Sequence, residues 1–253
     1  MQEAIKHLQK AIKLNPEFAD AHYELATLLD KENEYSLAKK HYLKSIDLKK
    51  GYEKSHFKLA TMLKRKKSYK ESKKHYLAAI EINPNYSDAL YEFGLLLVAT
   101  NEINDAKTHF EKVTDLDQNF DDAYFQLAQI LRDPEEYDKA KKNYLTAIDI
   151  NPKHMLAHYY LGKLIATGYQ LDKDGSRVAK PEVDNAIKYF TNAIEIDPQF
   201  DKAHYNLAIA SKHVGDLKKS EVHFLKAIKI NPKHYKAHYQ YALLLKEVNN
   251  ESK

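Results

Sequence analysis

Cysteine is absent from the 253 residues. That excludes disulfides and thiolate metal sites, fits a reducing compartment and favours the cytoplasm. No apolar run approaches the ~20 residues a membrane-spanning helix needs, so no membrane span is expected. Charge of one sign is missing too: 40 Lys+Arg against 36 Asp+Glu leave a formal +4. Nucleic-acid recognition favours strong, clustered positive charge, so nucleic acid is not an expected partner. There is no Gly-rich phosphate loop, no usable Ser-His-Asp arrangement and no isolated carboxylate pair. The chain therefore reads as non-catalytic, and no cofactor is expected. Its opening, MQEAIKHLQK, reads as amphipathic helix rather than a leader.

What is present is a period. Tyr23, Phe57, Tyr91, Phe125 and Tyr159 stand 34 residues apart; the next step, to Tyr205, is 46, and Tyr239 returns at 34. The prolines agree: Pro16, Pro84 and Pro152 are two periods apart, Pro198 follows by 46 and Pro232 by 34. Two residue types thus report one period and one 12-residue insertion. A repeat this short cannot bury its apolar face alone, so neighbours must stack into a solenoid.

Within one period, Leu25, Ala26 and Leu29 fall at helical spacing, as do Ala38, Tyr42, Ser45 and Ile46, with polar Lys31–Glu34 between them. Each repeat is therefore two antiparallel helices joined by a short turn. The repeats close on Asn-Pro or Asp-Pro, where proline ends the second helix. Small residues mark the helix crossings: Ala26, Ala60, Gly94, Ala128, Gly162, Ala208 and Ala242 in first helices, and Ala4, Ala38, Ser72, Ala106, Ala140, Ala186 and Ser220 in second helices.

A 34-residue helix–turn–helix with these small residues, the aromatic and the closing proline resembles the tetratricopeptide repeat family. The resemblance implies an all-α fold, a right-handed α-α superhelix of antiparallel helix pairs. It extends over residues 1–253 as one array: a half repeat at 1–18, four repeats at 19–154, a longer one at 155–200, another at 201–234 and a terminal helix at 235–253. His22, His56, His158, His204 and His238 replace the family's usual leading Trp, and Lys50 and Gln118 stand where Pro is expected. The inserted residues, near 168–181, read as a loop marked by Gly168, Gly175 and Pro181. This repeat is faintly similar to the longer Sel1-like relatives. The loop reads as a tolerated length variant or as a groove edge offering Tyr169 or Arg177. Asp172–Gly175 suggests a calcium loop, but the glycine comes too early and no Glu closes it.

Thirteen histidines invite a metal. Five open first helices, and His7, His41, His75, His109 and His223 recur in second helices, so the repeat accounts for ten. His154/His158 and His234/His238 have i,i+4 spacing, but no third ligand stands beside them. No metal site is expected.

In this family the first helices line a concave face, so the resemblance implies a groove bordered by the aromatic row. Such a ladder can anchor an extended peptide, or its rings can pack on the neighbouring repeat. Asp20 and Glu24, Lys54 and Lys58, and Asp88 and Glu92 alternate in sign and suggest an ion-pair ladder between repeats. Toward the C-terminus first helices turn basic, which favours an acidic segment. The residues expected to bind are Phe125, Tyr159, Tyr160, Lys163, Lys202, Tyr205, Asn206, Lys236 and Tyr239. Two family modes do not fit: the carboxylate clamp's lysine sites are aromatic here, and the asparagine ladder's positions hold one Asn, Asn206. The run Lys64–Lys67 reads as a solvated turn. The expected function is a scaffold or adaptor binding a peptide or partner protein. The alternatives are a substrate-recognition arm of a larger enzyme, suggested by the mid-repeat opening, and an assembly protein associating end to end. The second rests on apolar Tyr241–Leu245 in the last helix, where a cap is normally polar.

Overall fold

A computed structural model describes residues 1–131, 134–171, 177–179 and 182–251. Its contacts divide the chain into two compact units, Met1–Gln118 and Asn119–Lys253. The first unit holds α1 (Gln2–Leu14), α2 (Ala19–Lys31), α3 (Tyr35–Leu48), α4 (Glu53–Arg65), α5 (Tyr69–Ile82), α6 (Ser87–Ala99) and α7 (Ile103–Leu116). The second holds α8 (Asp121–Ile130), α9 (Tyr137–Ile150), α10 (Met155–Ala166), α11 (Val183–Ile196), α12 (Asp201–His213), α13 (Leu217–Ile230) and α14 (Tyr235–Glu251). Even-numbered helices are first helices and odd-numbered ones second helices. Within each repeat the two pack closely, as in α2 with α3 or α12 with α13.

The turn between paired helices is set by one residue. Asn33, Lys67, Asn101 and Gly215 occupy the same repeat position, and all have positive φ, from 60° to 81°. A left-handed residue lets the next N–H reach back past the helix end. Accordingly Glu34 N–H donates to Leu29 O at 2.9 Å, Ser68 to Leu63 at 2.9 Å, Glu102 to Leu97 at 2.8 Å and Asp216 to Ser211 at 2.9 Å. The insertion sits inside this turn. Strands β1 (Tyr169–Leu171) and β2 (Arg177–Ala179) pair antiparallel, Tyr169 opposite Ala179. Glu182 N–H then donates to Ile165 O at 2.9 Å, the bond that closes the shorter turns. The described part of the insertion is therefore a pair of antiparallel strands set within a closed turn, and α10 and α11 keep the pairing of the other repeats. Gly175 and Pro181 and the Asp172–Gly175 sequence lie outside the described residues.

The fourth repeat departs differently. Pro134 has no N–H to give a preceding turn, α8 stops at Ile130, and a short 3-10 turn over Pro134–Glu136 leads into α9. The sequence reading did not single out that proline.

Packing follows the small-residue rule. A Cβ on Gly94 would lie 2.6 Å from the Phe110 ring, and one on Gly162 would lie 2.8 Å from the Phe190 ring. Both rings are fully buried. Gly94→Ala is expected to lower stability by about 1 kcal/mol. Overpacking costs about 1–3 kcal/mol and outweighs the helix-propensity gain of about 1 kcal/mol. Denaturant unfolding checks the sign, since the same change at an open helical position stabilises. Two sites break the rule: Ala4 and Ala242 are exposed, on α1, which packs on α2, and on α14, which packs on α13.

The ion pairs use other partners than expected. Asp20 pairs with Lys49 at 3.6 Å, and Glu92 with Lys64. The basic run at 64–67 is structural rather than merely solvated. Lys64 reaches Glu92, Arg65 reaches Asp30 at 2.5 Å, and the Lys66 ammonium sits 4.0 Å from the Tyr35 ring centre. Exposed pairs of this kind contribute about 0–1 kcal/mol each; their effect is to hold neighbouring first helices α2, α4 and α6 in register.

Candidate functional site on the first helices

The expected binding residues fall on α8, α10, α12 and α14, all in the second unit. Three of their rings, those of Phe125, Tyr159 and Tyr205, are held from two sides. Tyr159 packs on Phe190 of its own repeat, with centroids 6.1 Å apart, and beneath Phe200 at 4.8 Å. Phe125 lies between Tyr144 at 6.0 Å and His154 at 4.8 Å, and Tyr205 between Phe224 at 6.1 Å and His234 at 4.9 Å. The first unit repeats the pattern, with Tyr52 over Tyr23 at 5.3 Å and Tyr86 over Phe57 at 5.0 Å. The covering residue always precedes the next first helix. The sequence reading missed this second ring series (Tyr52, Tyr86, His154, Phe200, His234), although it keeps the same period.

Phe125 is 6% exposed and Tyr159 5%, so neither ring projects from the surface. Burial pushes the Tyr159 phenol up to about 12, with a smaller push from Tyr160; its bond to Asn206 opposes the shift. Burial also raises Tyr205. Tyr160 and Tyr205 are half-buried and Tyr239 is exposed.

Polar groups converge on these rings. Asn206 donates from Nδ2 to Tyr159 Oη at 3.2 Å and to Lys202 O at 2.8 Å, which links α12 to α10. The Lys163 ammonium lies 5.8 Å from the Tyr159 ring centre and 5.5 Å from that of Tyr160. Lys236 lies 5.9 Å from the Tyr235 ring. Lys163, Lys202 and Lys236 are exposed. Neighbouring acids are engaged: Asp201 accepts from Asn231 Nδ2 at 2.7 Å and from the Lys202 N–H at 2.9 Å, and Glu247 pairs with Lys212 at 2.7 Å.

The histidines form a system the sequence reading did not find. His22 and His41 meet Nδ1 to Nδ1 at 2.9 Å, His56 and His75 at 3.0 Å, and His204 and His223 at 2.9 Å. His22 Nε2 donates to Pro16 O at 3.1 Å, and His204 Nε2 to Pro198 O at 3.2 Å. A carbonyl can only accept, so in these neutral rings Nδ1 is an acceptor and the second-helix histidine supplies the proton. The readable signal was a 19-residue spacing between histidines. The i,i+4 pairs do not converge on a common point. His158 Nε2 bonds Pro152 O at 3.0 Å, while His154 accepts from the Ala157 N–H at 3.2 Å and has Asp122 at 3.3 Å. Among the described residues no group of three or more His, Asp or Glu could hold a metal, and no helix is long and apolar enough to cross a membrane.

Paired helices at a fixed period, crossed at a small residue and closed by proline, define an α-α solenoid. Family models described as tetratricopeptide repeat match residues 19–52, 53–86, 121–154 and 201–234, and also 75–108 and 223–253; one described as TPR repeat matches 1–31. The chain belongs to the tetratricopeptide repeat family, and its fold class is that family's all-α right-handed superhelix. The matched stretches do not include the longer repeat at 155–200.

Solved structures agree on the fold. PilF of Pseudomonas aeruginosa is 14% identical with a TM-score of 0.72, over 88% of this chain and 96% of that one. The C-terminal part of a TPR repeat-containing protein from Cytophaga hutchinsonii is 17% identical with a TM-score of 0.69, over 93% and 92%. MamA from Desulfovibrio magneticus is 21% identical with a TM-score of 0.59, over 72% and 96%. No curated protein matches the chain.

Proposed function

We propose that the chain is a non-catalytic adaptor that holds an acidic, extended segment of a partner protein along α10, α12 and α14. One observation carries the reading. Lys163 stands beside the Tyr159–Tyr160 ring pair, whose phenol is tied to Asn206, so a cation, a rigid aromatic floor and an amide sit together. Rings fixed on both sides lose little entropy when they receive a ligand. The neighbouring acids are already engaged, so the exposed lysines set the sign of the surface. Tyr160, Tyr205 and Tyr239 offer ring faces to the segment, while Lys163, Lys202 and Lys236 receive its carboxylates. Phe125 and Tyr159 hold the floor beneath it.

Selection from a random-peptide display library tests this. The bait is the chain, and the counter-bait carries Lys163→Glu, Lys202→Glu and Lys236→Glu. Selected peptides are expected to be acidic and to bind the counter-bait at least about tenfold more weakly, the loss of roughly one charge-assisted contact. Peptides of no net charge preference, or equal binding to both baits, overturn the proposal.

A further inference from the structure

We infer that the acidic segment carries one branched aliphatic side chain, leucine in size, which fills a cavity of about 130 Å³ between α10, α11 and α12. The inference rests on the peptide-binding reading and adds to it the residue that fixes the segment's register.

The cavity is lined by Ala166 of α10, Val183 and Phe190 of α11, and Ile209 and Ala210 of α12, with Asn206 and His213 as its polar members. Asn206 is half-buried and His213 exposed, so the cavity reaches the surface beside them. Asn206 is also the residue that donates to Tyr159 Oη at 3.2 Å and, a helical turn back, to Lys202 O at 2.8 Å. The cavity therefore adjoins the aromatic site and its lysines.

The lining is smaller than the repeat supplies elsewhere. Ala210 occupies the position of Leu28, Met62, Leu96, Ile130, Leu164 and Leu244 in the other first helices. Val183 begins α11 where Tyr35, Tyr69 and Tyr137 begin their second helices. Ala166 stands where Asp30, Lys64, Val98 and Lys212 do, all of them larger. Between α2, α3 and α4 the same corner is occupied. Tyr35 packs against the cluster that holds Met62, and the Lys66 ammonium lies 4.0 Å from its ring centre. Asp30 and Arg65, the counterparts of Ala166 and His213, pair at 2.5 Å. In the second unit a ring, a long aliphatic chain and an ion pair are missing from one place, and the space between the helices stays open.

Size and lining select the occupant. Unfilled apolar space costs stability because the atoms around it lose their contacts, so an apolar group is favoured there. An apolar cavity of about 150 Å³ holds benzene; one of about 130 Å³ takes an isobutyl group but not an indole. Among the described residues the lining holds no acid, and Lys163 and Lys202 stand beyond Asn206. Carboxylates on either side of the aliphatic residue therefore meet cations rather than like charge.

Peptide display on the wild-type chain, followed by titration of the tightest peptide, tests this. Selected acidic peptides should share a leucine, isoleucine or valine at one fixed position. Replacing it by alanine should weaken binding to the wild-type chain about tenfold or more, the effect of burying one aliphatic side chain. Ala210→Leu restores the residue type of the other repeats and fills the cavity from within. In that variant the same peptide change should alter affinity by less than about twofold, because the two changes act on one space. Val183→Tyr should behave alike, and it carries the test if Ala210→Leu loses helicity. Acidic peptides without a fixed aliphatic position, or an equal loss in wild-type and filled chains, overturn the inference and leave the adaptor reading standing. Peptides of no charge preference overturn that reading, and this inference with it.

Discussion

Phe190→Ala lowers stability by about 3–5 kcal/mol, the usual cost of deleting a buried aromatic ring. Phe190 is 1% exposed and fills the space left by Gly162, where not even a methyl group fits beside it. It also stands under Tyr159 and borders a cavity of about 130 Å³ lined by Val183, Ile209 and Ala210. Removing the ring enlarges a void that stiff helices on three sides cannot close. Because each repeat meets only its neighbours, the loss should concentrate in α10, α11 and α12. Denaturant unfolding measures its size, and amide exchange locates it. A loss below about 1 kcal/mol, the range of ordinary surface changes, would show that this crossing does not carry the second unit.

Acid should weaken the fold between pH 6.5 and about 4. Burial holds the second-helix histidines of the dyads below their ordinary value, His75 and His223 down to about 4. His41, His56, His109, His158 and His204 are lowered as well, burial first in each case. Charges around the dyads act in both directions: Lys40 by His41, Lys39, Lys74 and Glu71 by His75, and Lys219 and Lys226 by His223, with Asp201 and Lys226 by His204. The unfolded chain binds these protons near pH 6.5, whereas the folded chain binds them at lower pH, near 4 for His75 and His223. Stability is thus fully present above pH 6.5 and falls as pH drops through that window. For His75 alone the loss is about 2–3 kcal/mol, and the dyads together make the fall steep. The geometry adds a reason for the first-helix ring: with His204 Nε2 donating to Pro198 O, a proton on its Nδ1 would face the Nδ1–H of His223 2.9 Å away. Melting temperature followed from pH 8 to 4 should be flat at first and then drop, with a smaller drop in His75→Phe. A flat profile across the window, or the same drop in that variant, contradicts this account.

Periodicity carried the fold because it is a property of residue types at fixed intervals. Tyr23 to Tyr239, the prolines and the small residues are enough to place every helix pair. Partners across the interval were less legible. The alternating signs of Asp20, Lys54 and Asp88 suggested one ion-pair ladder, but side-chain reach selected Lys49 for Asp20 and Lys64 for Glu92. The aromatic row was visible as a row. That the Phe125 and Tyr159 rings are covered depends on His154 and Phe200 folding over them, and those belong to the turn rather than to the helix being read. The histidines looked like a replaced tryptophan and a repeated second-helix residue; only the helix pairing joins them into dyads. The insertion read as a loop, whereas its described part is a pair of antiparallel strands closed by Glu182 on Ile165.

The central claim is that partners are held on the first helices of the second unit. Amide hydrogen exchange, with and without the tightest acidic peptide from the display selection, tests it most directly. The account predicts added protection on α10, α12 and α14 and little change on α9, α11 and α13. Protection confined to the second helices would place the partner on the opposite face and contradict it.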